Sequence, residues 1–177
     1  MRKISLIGAG NIGTILAYSL SRKKIGQIAL IDVVDGLAEG KCLDLAQSFP
    51  VDNINGKIEG TTDISKIKDS AAIIITAGVA RKPGMSRDDL IEINFSIMSK
   101  IGKAIKKFSP KAFVICVTNP LDAMVWSLKN IIGIHSNMIV GMAGILDSAR
   151  FRFFLAKELD VCVESIQTMV LGGHGDT

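Results

Sequence analysis

The chain has 177 residues, 48% of them hydrophobic and 21% charged, which indicates one globular domain plus a remainder and excludes disorder as the main state. The net charge of +4 is mild, and the lysines between 100 and 111 lie opposite apolar residues at helical spacing, so we expect no nucleic-acid partner. Mean hydropathy is high at +0.37, but no apolar run approaches the ~18 residues of a membrane span, which favours strands buried on both faces.

Short apolar runs alternate with helical segments in the first part of the chain. Residues 4–7 and 28–31 are rich in isoleucine and leucine, and each run predicts a buried strand. Apolar residues recur at helical spacing over 12–22 and 38–49, so helices are predicted there. Residues 53–60 carry a weaker pattern that predicts an edge strand.

The same alternation continues to residue 140. The clearest central strand is predicted at 71–76, where two alanines and three isoleucines precede Thr76. The next predicted elements are a loop with proline and glycine at 78–86, a helix at 88–108, a strand at 112–117, a helix at 120–132 and a strand at 138–140. Beyond them, 147–159 is predicted as a helix and 165–171 as a strand.

This order of elements predicts an α/β fold. Strands that alternate with helices form a parallel sheet with helices on both faces, and six strands complete a doubly wound Rossmann sheet. Glycines and short side chains interrupt the pattern at 141–144. We therefore predict a dinucleotide-binding domain over 1–144, followed over 145–177 by the start of an incomplete α+β substrate domain.

The first predicted strand leads into a glycine-rich motif. Gly8, Gly10 and Gly13 form G-x-G-x-x-G between a strand and a helix, the context in which this motif binds a dinucleotide pyrophosphate. The helix offers free N–H groups and the positive end of its dipole to the phosphates. Asp32, at the end of the second strand, suits both ribose hydroxyls and repels a 2′-phosphate. The pattern predicts binding of NAD rather than NADP.

Two further loops leave strands at their carboxyl ends, where ligands bind in open α/β sheets. Arg81 and Arg87 flank a Pro-Gly loop after the fourth strand, and guanidinium groups bind carboxylates in a bidentate manner. From this stretch alone, two solvated loop arginines explain the pattern equally well. Asn119 follows the fifth strand and brings a side-chain amide to the same edge of the sheet.

The carboxyl-terminal part of the chain contains a candidate acid–base group. Asp147 and Arg150 lie three residues apart on one face of a predicted helix. His174 stands between glycines at the end of a predicted strand, which leaves its ring little cover from neighbouring side chains. His135 has no such surroundings, and a structural role explains it better.

Cysteine and histidine usage argues against disulfides and metals. Cys42, Cys116 and Cys162 are odd in number and far apart, and neither histidine has a cysteine or histidine at ligand spacing. We therefore expect no metal and a reducing compartment. The start of the chain lacks a cleavage pattern, and the glycines of the dinucleotide motif interrupt its apolar stretch, so a cytoplasmic protein is predicted.

Taken together, the motifs resemble the lactate/malate dehydrogenase family, and most of all its NAD-dependent malate dehydrogenases of the lactate-dehydrogenase-like type. The matching stretches are GAGNIG at 8–13, Asp32, ITAGVARKPGMSR at 75–87, VTNP at 117–120, LDSARFR at 146–152 and GGHGD at 172–176. They follow the family's order over almost the whole chain. The resemblance implies reversible oxidation of (S)-malate to oxaloacetate with NAD, as in the tricarboxylic acid cycle, by a homo-oligomer.

The resemblance also implies roles for individual residues. His174 would be the acid–base group, Asp147 would orient its imidazole, and Arg87 would polarise the substrate carbonyl. Arg150 would bind the carboxylate beside the reacting carbon, and Arg81 would bind the distal carboxylate. The loop at 79–86 would close over the substrate as a lid.

The remaining implied contacts involve the cofactor. They fall on Gly8, Ala9, Gly10, Asn11, Ile12, Gly13, Asp32, Asn94, Val117, Thr118 and Asn119. Asn119 would also hydrogen-bond to the substrate.

Two alternatives stay open. A lactate dehydrogenase of the same family would share the mechanism, but lactate enzymes of this fold carry an uncharged residue at the position of Arg81. A non-catalytic NAD-binding fragment is the second alternative, because family members continue well past the position of Thr177. The isolated chain is accordingly expected to bind NAD weakly and to turn over malate hardly at all.

Overall fold

The computed structural model describes residues 2–80 and 83–174, and in it six parallel strands form one sheet. The strands are β1 (Lys3–Ile7), β2 (Gln27–Ile31), β3 (Ile58–Thr61), β4 (Ala72–Ile75), β5 (Phe113–Cys116) and β6 (Ile139–Gly141). Their order across the sheet is β3-β2-β1-β4-β5-β6. Because the chain proceeds outward from β1 on one side and then outward from β4 on the other, the sheet is doubly wound, which confirms the predicted Rossmann fold.

Among the described residues, five α-helices cover the two faces of the sheet or follow it. They are α1 (Asn11–Arg22), α2 (Leu37–Ser48), α3 (Arg87–Phe108), α4 (Leu121–Ile132) and α5 (Gly144–Glu158). Ala17 of α1 and Ala38 of α2 belong to one buried apolar cluster, whereas Met98 of α3 and Leu128 of α4 belong to another. Helices from the two halves of the chain therefore bury opposite faces of the sheet.

Strand β4 shows why the sheet interior is so apolar. Ile73 and Ile75 belong to the cluster under α3 and α4, and Ile74 belongs to the cluster under α1 and α2. Successive side chains of a strand point to opposite faces, so an unbroken isoleucine run supplies both clusters at once. Such a strand needs cover on both faces, and β4 accordingly lies inside the sheet between β1 and β5.

Most predicted boundaries differ from the structure by one to three residues. The largest shift within the sheet concerns the edge strand predicted at 53–60. Residues 53–57 are not part of a strand, and pairing with β2 begins only at Ile58. Helix α5 begins at Gly144, earlier than the predicted 147. The domain boundary at 144/145 stays a prediction.

The strand predicted at 165–171 is wrong. Val163–Ser165 form a 3-10 turn, and 166–174 are neither helix nor strand. An apolar run becomes a strand only where another strand pairs with its backbone. In the part of the chain that the structure describes, this segment lies along α5 instead, and the Val170 N–H donates to a serine side chain of that helix.

The carboxyl ends of parallel strands lie at one edge of a sheet, which we call the carboxyl edge. The loops after β1, β2, β4 and β5 leave from this edge. The features that lie along it are therefore the glycine motif, Asp32, the loop at 78–86 and Asn119. No helix within 2–80 and 83–174 combines the length and apolar character that crossing a membrane requires.

Candidate active site

The glycine motif makes a tight turn between β1 and α1. Gly8 has φ +112°, and a β-carbon there would lie 2.6 Å from the Ala77 nitrogen, so only glycine fits. A β-carbon on Gly13 would overlap the carbonyl oxygen of Gly8, which is why α1 can pack so closely against the strand end. At Gly10, by contrast, a β-carbon would meet nothing within 4 Å. That open space suits the close approach of a ligand to the backbone.

The amino-terminal end of α1 is free to bind an anion. Gly10 is the N-cap residue and cannot supply a side-chain cap, and the first turn contains no acidic side chain. The first N–H groups of a helix lack intrahelical partners and lie at the positive end of its dipole. This end of α1 therefore fits a pyrophosphate, as the sequence motif predicts.

Asp32 is fixed beside the glycine turn. Its Oδ2 accepts a hydrogen bond from the Ala9 N–H at 2.6 Å, and its Oδ1 accepts one from the Val34 N–H at 3.0 Å. A carboxylate oxygen can accept a second hydrogen bond, so both oxygens can still bind ribose hydroxyls. The open turn, the helix end and the carboxylate together fit NAD.

Asn94 is a buried side chain whose amide is bonded inside the protein. Its Oδ1 accepts from the Val79 N–H at 2.9 Å, and its Nδ2 donates to the carbonyls of Val79 at 3.2 Å and Asn119 at 2.7 Å. Its side chain is completely buried. The resemblance implies a cofactor contact here, and the structure adds that the amide clamps two carboxyl-edge loops together.

The loop after β5 is tied to the loop after β4 by a second bond. Thr118 Oγ1 donates to the Ala77 carbonyl at 2.7 Å, and Thr118 is buried. Val117, just before it, is partly buried, and the next residue, Asn119, is exposed at the carboxyl edge ahead of a cis Asn119–Pro120 bond. The backbone of this loop is therefore held by α3 and β4, while the side chain of Asn119 faces outward and can reach a ligand.

The structure brings together the predicted acid–base pair. His174 Nδ1 lies 3.1 Å from Asp147 Oδ2, although 27 residues separate them. An ionised carboxylate can only accept, so a hydrogen bond between these atoms requires the proton on Nδ1 and, in a neutral ring, leaves the lone pair on Nε2. Arg150 Nη1 lies 3.6 Å from the other carboxylate oxygen, on the same face of α5.

This pair lies near the loop that carries Asn119. A β-carbon on Gly173 would lie 3.8 Å from Asp122 Oδ2, and Asp122 is in the first turn of α4. Helix α4 begins two residues after Asn119. His174 and Asn119 therefore both lie at the carboxyl edge.

Two of the predicted substrate ligands cannot be placed. Arg81 lies outside the described residues, and so does the side chain of Arg87, whose backbone begins α3. Between them, Ser86 caps α3: its hydroxyl accepts from the Asp89 N–H, and Asp89 accepts from the Ser86 N–H, each at 3.0 Å. The loop therefore ends in a well-formed helix start.

The buried thiols are not candidate nucleophiles. Burial raises the pKa of Cys42 to about 12 and that of Cys116 to about 11, so both are protonated at neutral pH. Cys162 is exposed and free. Across residues 2–80 and 83–174, no three histidine, cysteine, aspartate or glutamate residues come together as a metal site would need.

Sequence reasoning missed two residues near the acid–base pair. Ser148 Oγ accepts from the Val170 N–H at 2.8 Å, and Thr168 Oγ1 donates to the Ser148 carbonyl at 3.3 Å. Bonds between side chains and backbone leave no periodic pattern in a sequence. The available signals were the position of Ser148 directly after Asp147 and its place in the LDSARFR stretch.

Two family models match consecutive parts of the chain. Residues 2–141 match the lactate/malate dehydrogenase NAD binding domain, and residues 145–177 match the lactate/malate dehydrogenase alpha/beta C-terminal domain.

Solved structures of dehydrogenases are similar over nearly the whole chain. Malate dehydrogenase from Cryptosporidium parvum has 45% identity and a TM-score of 0.95, with 99% of this chain and 56% of that chain covered. The apo malate dehydrogenase from Picrophilus torridus has 46% identity and a TM-score of 0.94, with the same coverage. A lactate dehydrogenase from Cryptosporidium parvum, complexed with lactic acid and the dinucleotide cofactor, has 39% identity and a TM-score of 0.93, with 99% and 55% covered. The chain thus spans slightly more than half the length of these proteins.

Proposed function

The chain belongs to the lactate/malate dehydrogenase family, and we propose that within this family it serves the interconversion of (S)-malate and oxaloacetate. The family domain that residues 2–141 match binds NAD as its cofactor. The reaction class is the NAD-dependent oxidation of a 2-hydroxy acid. The choice of malate over lactate, the cytoplasmic location and a homo-oligomeric state are proposals.

The chain's own groups move the proton. NAD supplies the hydride acceptor when it is bound. As hydride leaves the hydroxyl-bearing carbon, the hydroxyl proton passes to Nε2 of His174, the nitrogen that the bond to Asp147 leaves unprotonated. Asp147 keeps the ring oriented and stabilises the imidazolium that forms. In the reverse direction, His174 returns the proton to the oxygen of the carbonyl.

Arginines bind and polarise the acid. Arg150 has a side chain 62% exposed, so its ion pair with Asp147 is weak and leaves the guanidinium available to the carboxylate beside the reacting carbon. Arg87 stabilises negative charge that develops on the substrate oxygen. Asn119 donates a hydrogen bond to the substrate from the carboxyl edge.

The observation that carries the choice of malate is the presence of Arg81. Malate ends in a second carboxylate, whereas lactate ends in a methyl group, and a guanidinium in the loop over the site would pair with that carboxylate.

The proposal is tested by exchanging Arg81 in a protein that joins this chain to a complete C-terminal domain. We expect Arg81→Gln to lower kcat/KM for oxaloacetate by about 100-fold or more, because an unpaired carboxylate in a closed site costs about 3–5 kcal/mol. The value for pyruvate should stay the same or rise. The assay is NADH oxidation with each acid in turn.

Arg22→Gln is the matched control. Arg22 is exposed in the last turn of α1, at the opposite end of the helix from the glycine motif, so both kcat/KM values should be unchanged. If the ratio of oxaloacetate to pyruvate does not move in Arg81→Gln, then Arg81 does not select the acid. Preference for pyruvate in the unmodified protein would favour lactate dehydrogenase.

A further inference from the structure

The segment after α5 runs back along that helix toward its amino-terminal end. Arg152 Nε donates to the Val163 carbonyl at 2.7 Å, which fastens the start of the segment. Further on, Val170 is bonded to Ser148, and finally His174 meets Asp147. As the residue number in the segment increases from Val163 to His174, the residue number of its partner in α5 decreases from Arg152 to Asp147. The segment is therefore antiparallel to the helix.

Ser148 joins this segment to α5 through two of its atoms. Its Oγ accepts from the Val170 N–H, and its carbonyl accepts from Thr168 Oγ1. The two chains are also close one turn earlier, because a β-carbon on Gly144 would lie 2.9 Å from the Val170 carbonyl oxygen. Ser148 is thus the centre of the contact next to Asp147.

Few bonds hold the stretch between Val170 and His174. Among the described residues, the hydrogen bonds that tie 167–174 to other elements come from Thr168, Val170 and His174 alone. Gly172 has φ +125°, a conformation that only glycine adopts readily, and a β-carbon there would meet nothing within 4 Å. The placement of the imidazole therefore depends on where Val170 is fastened.

We propose that Ser148 is a positioning residue, whose hydroxyl holds the backbone of Val170 so that the imidazole of His174 meets Asp147. The inference rests on the proposed function, because it gives His174 and Asp147 the acid–base role. Ser148 does not touch the reacting atoms. It acts by limiting the positions that the ring can occupy, as catalytic groups on a poorly packed segment require.

The test uses the 177-residue chain and nitrogen-15 NMR of its imidazoles. The chain has two histidines, so His135 is an internal reference. In alkaline buffer a free neutral imidazole carries its proton mainly on Nε2, whereas a ring held against a carboxylate carries it on Nδ1. The chemical shifts of the two nitrogens separate these forms, and the measurement needs neither NAD nor turnover.

Three variants sharpen the test. Ser148→Ala removes the acceptor for Val170, Ser148→Thr keeps a hydroxyl, and Ser48→Ala removes a serine bond at the end of α2, far along the chain. We expect Ser148→Ala to move His174 toward the Nε2–H form and to speed amide exchange at Val170 about tenfold. Ser148→Thr and Ser48→Ala should resemble the unmodified chain, and His135 should not change in any of them.

The outcomes separate the positioning role from the proposed function. If His174 keeps the Nδ1–H form in Ser148→Ala while Val170 exchanges faster, the hydroxyl fastens the segment but does not position the ring, and the inference is overturned. An Nε2–H form in the unmodified chain would overturn it as well. Failure of malate turnover would count against the proposed function and would leave this signature untouched.

Discussion

Residues 2–141 and residues 142–174 are built in different ways. The first region buries two apolar clusters, one on each face of the sheet. In the second region, Ala156 and Ile166 are the only buried apolar residues within the described range, and Phe151, Phe153 and Phe154 are between 51% and 63% exposed. Burial of apolar surface is the dominant stabilising contribution to folding. The first region therefore supplies its own stability, and the second is held mainly by hydrogen bonds.

The groups that fit the cofactor and the groups proposed to transfer the proton lie in these two different regions. The groups that fit NAD stand on turns between well-packed strands and helices, where neighbouring backbone fixes them. The proposed acid–base pair lies on a helix and an irregular segment that meet through Arg152, Ser148 and Thr168. Binding of the cofactor should consequently be robust to mutations that disturb proton transfer.

A matched pair of leucines gives the largest expected contrast. Leu128 is fully buried in α4, whereas Leu159 is 58% exposed at the end of α5. We expect Leu128→Ala to lower the free energy of unfolding by about 2–5 kcal/mol, because it leaves a cavity in the core. Leu159→Ala should change it by less than about 0.5 kcal/mol.

Urea unfolding followed by circular dichroism measures both variants. Equal losses of stability would show that α5 is packed as firmly as the sheet. The contrast between the two regions would then be wrong.

Asn94 tests whether polar bonds matter inside the well-packed region too. Asn94→Ala leaves the Val79 N–H and the carbonyls of Val79 and Asn119 without their partner, which we expect to lower the free energy of unfolding by about 2–4 kcal/mol. NADH affinity should fall in the same variant, because two carboxyl-edge loops lose their clamp. Fluorescence titration with NADH checks the second effect.

The control for this substitution is Asn130→Ala. Asn130 is exposed on α4, and its loss should alter neither stability nor NADH affinity. Should Asn94→Ala weaken NADH binding without destabilising the fold, a direct contact with the cofactor would explain the side chain better than a clamp.

The smallest effect is expected at the start of α3. The hydroxyl and the backbone N–H of Ser86 hold the pKa of Asp89 below its usual 3.8. The folded state therefore gains stability from ionised Asp89 above that value and loses this contribution as the pH falls through the lowered pKa. Unfolding curves of the unmodified chain and Asp89→Asn should differ near neutral pH and converge in strong acid.

Ser86→Ala removes the hydroxyl part of the cap, which we expect to contribute about 1 kcal/mol at neutral pH. Because Met98, Ile101 and Ile105 anchor the rest of α3 in the core, the loss should stay local. A difference between Asp89→Asn and the unmodified chain that grows in acid would have the wrong sign for this cap.

The same contrast explains which features the sequence could predict. The strands around Leu6, Leu30 and Ile74 were predictable because a parallel sheet buries both faces, and that requirement imposes apolar runs on the sequence. The pair His174–Asp147 was predictable through a family motif, not through any local pattern. The strand at 165–171 was predicted wrongly because its apolar residues say nothing about whether another strand will pair with them.

Other features could not be predicted from local sequence patterns because they depend on tertiary contacts. An asparagine in a helix such as Asn94 gives no sign that its amide will join two loops 15 and 25 residues away. Ser148 likewise resembles any helical serine until Val170 is seen to reach it. Hydrogen bonds of side chains to distant backbone become visible only when the fold is known.

The order of strands has a consequence for synthesis of the protein. Strand β1 is made first but lies in the middle of the sheet, and Ile4 must wait for Ala72, 68 residues later, before its second neighbour exists. At about 5–20 residues per second, a ribosome needs roughly 3–14 seconds to make that stretch. During this time one edge of β1 has no partner in the nascent chain, although Leu6 and Ile7 are already apolar. Helix α1 follows directly and can cover one face of β1, where Ala17 and Leu6 share an apolar cluster, but the open edge must wait until β4 has been made.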